Sequence, residues 1–273
     1  MSTFQQLVAA RYGDASLPAP SAWSQVIESL LGHRSVRAYL PDPVSDDQLA
    51  AIVAAAQSAS SSSNLQAWSV VAVRDAARRA KLAELSGGQA HVAEAPLQLV
   101  WLADLARLER LTQITQRPGE ALDYFEMFLV AAIDAALAAQ NAAAAAESLG
   151  LGAVYIGALR NQPEAVAELL GLPPKTAAVF GLCVGKPDPA RPASIKPRPP
   201  QAVVLHHERY SLDAQEQGIE AYNAAMARFY EQQKMNVHGT WAVHSSKRVA
   251  NAGALSGRDR LVEALRGRGF ALS

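Results

Sequence analysis

Five consecutive residues, His33-Arg34-Ser35-Val36-Arg37, set two guanidiniums, an imidazole and a hydroxyl beside apolar sequence rather than in a solvated charge run. That group suits a phosphate monoester, to which arginine gives two parallel charge-assisted bonds and serine a shorter one. Far along the chain, Lys196 and Arg198 add a compact ammonium and a third guanidinium. Between them, Ser60-Ser61-Ser62-Ser63 and Asn64 bring side chains that hydrogen-bond local backbone. Two arginines alone are commonplace on a surface. Their company is what singles them out.

Other chemistries find little support. Gly150-Leu151-Gly152 with Gly157 follows a long helix and precedes a strand, the reverse of the strand–glycine–helix order of a dinucleotide fold. His206-His207-Glu208 does not suggest a metal, because adjacent histidines on a strand point to opposite faces and the remaining histidines are scattered. No serine sits in a nucleophile elbow. The single Cys183, inside the apolar run from Val179 to Val184, excludes an internal disulfide and reads as buried filler. An enzyme with no evident acid, base or nucleophile takes its chemistry from a cofactor.

The elements that must carry these residues follow from pattern and punctuation. A helix is expected from Ser21 to Leu31, ending at Gly32. Ser45-Asp46-Asp47-Gln48 has the form of a capping box and starts a helix that runs through Ala59 into the serines. Strands are expected at Trp68–Val73, Leu97–Ala103, Ala153–Ile156 and Val179–Val184, with a short edge strand at Val203–His206. The longest helix, Asp123 to Leu149, is small and apolar on nearly every face, which demands burial all round and suits the middle of a dimer interface. Pro163 to Leu170 is a further helix. The proline-rich stretch from Pro187 to Pro200 is extended, and helices from Ala214 to Gln232 and from Ser246 to Arg266 finish the chain. Residues 1–20 read as a loosely held extension, and 21–273 as one α+β domain with a helical carboxy-terminal excursion over about 211–273.

At 273 residues the chain can bury a substantial core. Half of it is apolar and only 18% is charged, with zero net charge; the usual charged share is about a quarter, so an oligomer is favoured over a monomer. Nothing attracts nucleic acid globally, and the basic excess from Lys234 to Arg268 reads as a solvated helical face. The amino terminus lacks the pattern of a signal peptide. Phe125 to Ala146 is the nearest approach to a membrane span, but it contains Asp134, which costs about 2.5–3.5 kcal/mol near a bilayer centre. A cytoplasmic protein without membrane or metal is therefore expected.

A series of blocks appears in register over about residues 29 to 210. His33-Arg34-Ser35-Val36-Arg37, the serines with Leu65-Gln66, and Gly87-Gly88-Gln89-Ala90-His91-Val92 come first. Ala139-Gln140-Asn141, Glu147-Ser148-Leu149-Gly150-Leu151-Gly152, Val154-Tyr155-Ile156-Gly157, Leu159-Arg160-Asn161, Phe180 to Gly185 and Lys196-Pro197-Arg198 follow. The series resembles the FMN-dependent, oxygen-insensitive NADPH nitroreductases and NADPH–FMN oxidoreductases. The resemblance implies a homodimer of α+β subunits, each with a central antiparallel sheet wrapped by helices, and FMN at the dimer interface. It implies that His33, Arg34, Ser35 and Arg37 hold the phosphate and ribityl chain, with Lys196 and Arg198 closing over phosphate and ring edge. Ser61, Ser63 and Gln89 would line the flavin, and Tyr155, Ile156, Gly157 and Ala158 would run along its ring, with the Gly157 N–H as donor to N5. Ala158 stands where the family usually has a second glycine and is expected to crowd the ring. The arm that carries arginines for the NADPH 2′-phosphate corresponds here to Met235-Asn236-Val237-His238, which has none, so discrimination between NADPH and NADH is expected to be weak. The implied activity is ping-pong hydride transfer from NAD(P)H through FMN to a nitroaromatic, quinone or similar oxidant. A flavin reductase that releases reduced FMN to a partner, and a non-catalytic FMN-binding dimer, are the alternatives.

Overall fold

The computed structural model describes residues 3–14, 17, 20–213 and 215–273. In chain order they form α1 (Thr3–Tyr12), α2 (Gln25–Gly32), α3 (Asp46–Gln57), β1 (Trp68–Val73), α4 (Ala76–Leu85), α5 (Ala90–Glu94), β2 (Leu97–Asp104) and α6 (Ala106–Thr115). The order continues with α7 (Phe125–Ser148), β3 (Gly152–Ile156), α8 (Pro163–Leu170), β4 (Thr176–Gly185), α9 (Gln215–Gln232), α10 (Trp241–Arg248) and α11 (Leu261–Gly267). Pro18 and Ala19, expected to end the extension, and Ala214, expected to open the penultimate helix, lie outside the described residues. The chain divides into two compact units: Ser35–Pro192 with Ser256–Ser273, and the described part of 1–34 with Ala193–Leu255.

The larger unit is built on a four-stranded sheet of order β1-β2-β4-β3 with every pair antiparallel, so it is α+β. Every residue of β2 is buried, which explains why this strand reads as a continuous apolar run rather than an alternation. Trp101 in β2 and Trp68 in β1 stack obliquely with ring centroids 5.4 Å apart. Helix α3 opens with the capping box expected from Ser45 and Gln48, each accepting a bond from the other's backbone N–H at 3.1 and 3.0 Å. Helix α7 crosses the sheet and packs on α3. Ala135, Ala138, Ala139, Ala142, Ala143 and Ala146 lie in the core against β2 and β4. Small side chains permit that close approach, and each methyl removed from water adds about 0.8 kcal/mol.

This corrects the expectation that the alanine faces of α7 await a partner: Ala138 and Ala142 are fully buried within the chain itself. The unpartnered face carries large residues instead. Phe125, Leu129, Ile133 and Leu137, spaced four apart along one stripe, are each between 41% and 51% exposed. By length and composition alone α7 could cross a membrane, but its small-residue face is spent on the sheet.

In the smaller unit α1 packs on α2, and α9 packs on α10 around Tyr222, Met226 and Phe229, with Trp241 edge-on to Tyr222 at 4.8 Å. Residues 3–12, inside the stretch read as loose, are helical, and their Val8 and Arg11 are buried. The edge strand expected at Val203–His206 does not form. Gln201–Val203 is a 3-10 turn whose Val203 and Val204 amides bond back to Pro200 and Gln201. The single helix expected from Ser246 to Arg266 is also broken. Ser256 and Gly257, at φ +56° and +86°, lie in the left-handed region between 3-10 turns at Ala252–Leu255 and Arg258–Arg260, which no helix can pass through.

Candidate functional site

Within the smaller unit the anion-suited residues rest on a buried arginine. Helix α2 ends at Gly32, and His33 turns the chain away with extended backbone. Arg11 of α1, 6% exposed, donates from Nη2 to the carbonyls of Leu31 and His33, both at 2.7 Å, and from Nη1 to the Lys196 carbonyl at 2.9 Å. The Arg11 carbonyl in turn accepts from the Arg198 N–H at 2.7 Å. Tyr222 adds a third hold on the second segment, its hydroxyl donating to the Pro197 carbonyl at 3.1 Å; burial raises that hydroxyl's pKa, keeping it a donor. The Arg34, Lys196 and Arg198 side chains are exposed on these anchored backbones.

In the larger unit, Ser35 pairs with Ala153 of β3 and the Val36 N–H donates to the Ala153 carbonyl at 3.0 Å. A side chain at Gly152 would lie 2.5 Å from Val36 Cγ2. The glycine is therefore needed to bring the Ser35–Arg37 segment against the strand that ends in Tyr155 and Ile156. Arg37 is exposed, while Tyr39 is buried and donates to the Val36 carbonyl at 2.6 Å. Among the described residues neither Arg34 nor Arg37 pairs with a carboxylate. Near Arg37, His91 has a buried Nε2 with no hydrogen-bond partner among the described residues. Its pKa is lowered by burial first and by the Arg37 charge second, so the ring is neutral at pH 7.

The serine stretch forms a strained turn. Ser63, Asn64 and Gln66 all take left-handed backbone, at φ +49°, +55° and +52°; such conformations cost of order 1–3 kcal/mol each and cluster at functional sites. Asp134, 1% exposed in the middle of α7, holds the turn. Its carboxylate accepts from Ser61 Oγ at 2.6 Å and from the Ser62 and Ala67 amides at 3.1 Å each. From the other side Arg107 donates to the Gln66 carbonyl at 2.6 Å. Ser61 also accepts from the Gln66 N–H at 2.8 Å, so its hydroxyl serves the turn, while the Ser63 side chain is exposed. Gln89 sits at the start of α5 and donates to the Ser86 carbonyl at 3.0 Å.

Strand β3 delivers the last group. Tyr155 meets Phe180 edge-on at 5.3 Å, and its hydroxyl is 3.5 Å from Gln140 Oε1. Ile156 is buried; Gly157 and Ala158 open a 3-10 turn and are half-buried. The Arg160 guanidinium lies against Gly157, 3.4 Å from where a Cβ would stand, and donates to the Val179 carbonyl. No carboxylate pairs with it among the described residues, and burial lowers its pKa. A half-buried cation behind an open backbone turn is suited to a ligand that gains negative charge.

Residues 30–186 match the Nitroreductase family, and residues 196–273 match the Nitroreductase family, C-terminal domain. The chain belongs to the nitroreductase family. Among its relatives are the oxygen-insensitive NADPH nitroreductase of Salmonella typhimurium, 43% identical over 81% of this chain and 89% of that protein, and the NADPH-flavin oxidoreductase of Vibrio harveyi, 39% identical over 83% and 92%. Similar solved structures include nitroreductase A from Vibrio parahaemolyticus, with a TM-score of 0.82 and 38% identity, and the NADPH:FMN oxidoreductase from Vibrio harveyi complexed with NAD+, with a TM-score of 0.80 and 36% identity. Each aligns along all of its own chain with 92% of this one.

The positions expected from the sequence to hold the cofactor divide between the units: His33, Arg34, Lys196 and Arg198 in the smaller, and Ser35, Arg37, Ser61, Ser63, Gln89, Tyr155, Ile156, Gly157 and Ala158 in the larger. Sequence reasoning missed three residues that hold them. Arg11 and Tyr222 gave no signal, being ordinary members of mixed segments. Asp134 did give one, as the only acidic residue in the apolar body of α7, and was read only as an argument against a membrane.

Proposed function

We propose that this nitroreductase-family chain is an FMN-dependent NAD(P)H oxidoreductase that reduces nitroaromatics, quinones or similar small oxidants by ping-pong transfer. The observation that carries the reading is the segment 33–37, fixed by Arg11 at its start and by β3 at its end, with two exposed arginines that have no carboxylate partner among the described residues. A donor set of that kind suits a phosphate dianion. His33, Arg34, Ser35 and Arg37 would hold the phosphate and ribityl chain, with Lys196 and Arg198 closing over them. Ser63, Gln89 and Tyr155 would bound the ring, and Ser61 would act by shaping the turn.

When bound, FMN accepts a hydride from NAD(P)H and returns two electrons to the oxidant. The chain's own residues orient and stabilise. The Gly157 N–H would be the donor for N5, and the Arg160 charge behind it would favour the electron-rich reduced ring. The Ala158 methyl would crowd the ring edge. The functional form we propose is a cytoplasmic homodimer, with the apolar stripe from Phe125 to Leu137 of α7 covered by a second copy. This places the interface on a face that an isolated chain leaves wet. The test is binding of FMN and of riboflavin, which lacks the phosphate, to apoprotein. Arg34→Ala and Arg198→Ala should each weaken FMN by about ten- to a hundredfold and weaken riboflavin much less. Unchanged FMN affinity in both variants refutes the phosphate site.

A further inference from the structure

Helix α1 precedes residue 30, where the match to the family begins, and yet it is built into the anion-suited side of the site. Its Arg11 is the most buried guanidinium among the described arginines. The fork spans two backbone segments that are about 160 residues apart in sequence: the end of α2, through Leu31 and His33, and the Lys196–Arg198 segment. The Leu31 carbonyl belongs to the last turn of α2, where carbonyls lack intrahelical partners and a cation is favoured. Three carbonyl oxygens converge there, and without a cation their dipoles would oppose an anion bound next to them. The backbone link from Arg198 to the Arg11 carbonyl closes the connection from the other direction.

The rest of α1 seats that fork. Val8 is buried, Phe4 packs on Trp23 with centroids 3.8 Å apart, and the Tyr12 hydroxyl accepts from Gln201 at 3.0 Å. The Gly13 carbonyl accepts from Arg228 at 3.0 Å, and Gly13 itself, at φ +69°, leaves only 2.7 Å to Ala225 Cβ for any side chain. A cleft of about 530 Å3 has α1, through Ala9 and Ala10, as one wall, and Arg34 and Pro197 among its lining residues. Arg34 and Pro197, the residue between Lys196 and Arg198, thus border one space with α1.

We propose that Arg11 is a positioning residue for phosphate recognition: it fixes the spacing between the backbones that carry Arg34 and the Lys196–Arg198 pair, so that three exposed cations converge on one anion with less loss of freedom on binding. The proposal rests on the FMN reading above, in that the phosphate is the group those cations meet. The full-length apoprotein is titrated with FMN and with riboflavin, comparing Arg11→Met, Arg11→Lys and Arg34→Ala with the parent, and far-UV circular dichroism confirms the fold of each. Arg11→Met is expected to weaken FMN by about tenfold or more and to leave riboflavin within about twofold. Arg11→Lys, a point donor without the planar fork, is expected to fall between. Equal losses for FMN and riboflavin make Arg11 a general packing residue and overturn the proposal. Parent-like FMN affinity in Arg11→Met, with Arg34→Ala impaired, overturns it while the phosphate reading stands. If Arg34→Ala also binds FMN like the parent, the phosphate reading falls and the proposal falls with it.

Discussion

Replacing Asp134 should dismantle the serine turn. Its carboxylate accepts from one hydroxyl and two backbone amides at 2.6–3.1 Å in a site that is 1% exposed. In Asp134→Ala the hydroxyl of Ser61 can rotate toward another acceptor, but the Ser62 and Ala67 amides cannot. Each buried donor left without a partner costs about 1–3 kcal/mol; the buried Ala67 amide bears this in full and the amide of exposed Ser62 only in part, so the two together cost about 2–4 kcal/mol. The left-handed backbone at Ser63, Asn64 and Gln66 then has less to hold it, and the turn relaxes rather than enduring the full penalty. A loss near 3 kcal/mol, at about 2–4 °C per kcal/mol for a chain of this size, lowers the melting temperature by about 6–12 °C. Asp134→Asn keeps the shape and one acceptor oxygen and should lose about half as much. Thermal melting of the apoprotein gives the magnitude, and amide hydrogen exchange locates it: protection should fall across residues 61–67 before it falls in β2. Melting within about 1 °C of the parent for both variants, with protection at 61–67 intact, would refute this account of the turn.

Leu129→Glu with Ile133→Glu, on the exposed stripe of α7 and outside the core, should convert the dimer to monomer in sedimentation without a large stability loss; a double variant that stays dimeric places the interface elsewhere. The catalytic efficiencies with NADPH and NADH should lie within about tenfold, or about 1.4 kcal/mol of transition-state preference, because Met235 to His238 lack arginine; steady-state kinetics showing a hundredfold NADPH preference would contradict this. His91 has its folded pKa lowered by burial and Arg37. The unfolded chain therefore binds the extra proton more readily, and the stability that neutral His91 provides is present above about pH 6.5 and lost as pH falls through the lower folded value. Melting temperatures from pH 7.5 to 5 should fall more steeply in the parent than in His91→Gln, and parallel slopes would count against it.

Much of the sheet was readable because buried strands leave unbroken apolar runs between turn residues: β1 begins and ends where expected, and β2 differs by one residue. The capping box at Ser45 was readable because it is a local hydrogen-bond pattern. Tertiary context decided the rest. The alanines of α7 read as an interface because sequence shows that a face is small and apolar but not which neighbour covers it; here the sheet covers it and the larger residues are left outside. Helix α1 has a mixed sequence without a strong apolar stripe, and its importance lies in one side chain that bonds carbonyls roughly 20 and 185 residues away. The donor residues of the proposed site stand in the sequence as types in order; of the residues that hold their backbones, Arg11 and Tyr222 bond carbonyls and leave no motif, and Asp134 shows only as a lone charge in α7.

The most direct test of the central claim is the absorption spectrum of the protein reconstituted with FMN and desalted, followed anaerobically as NADH or NADPH is added. The account predicts a flavin spectrum near one FMN per chain that bleaches with either nucleotide and recovers when a quinone or nitroaromatic is admitted. A colourless protein after desalting, or a flavin spectrum that neither nucleotide bleaches, would contradict it.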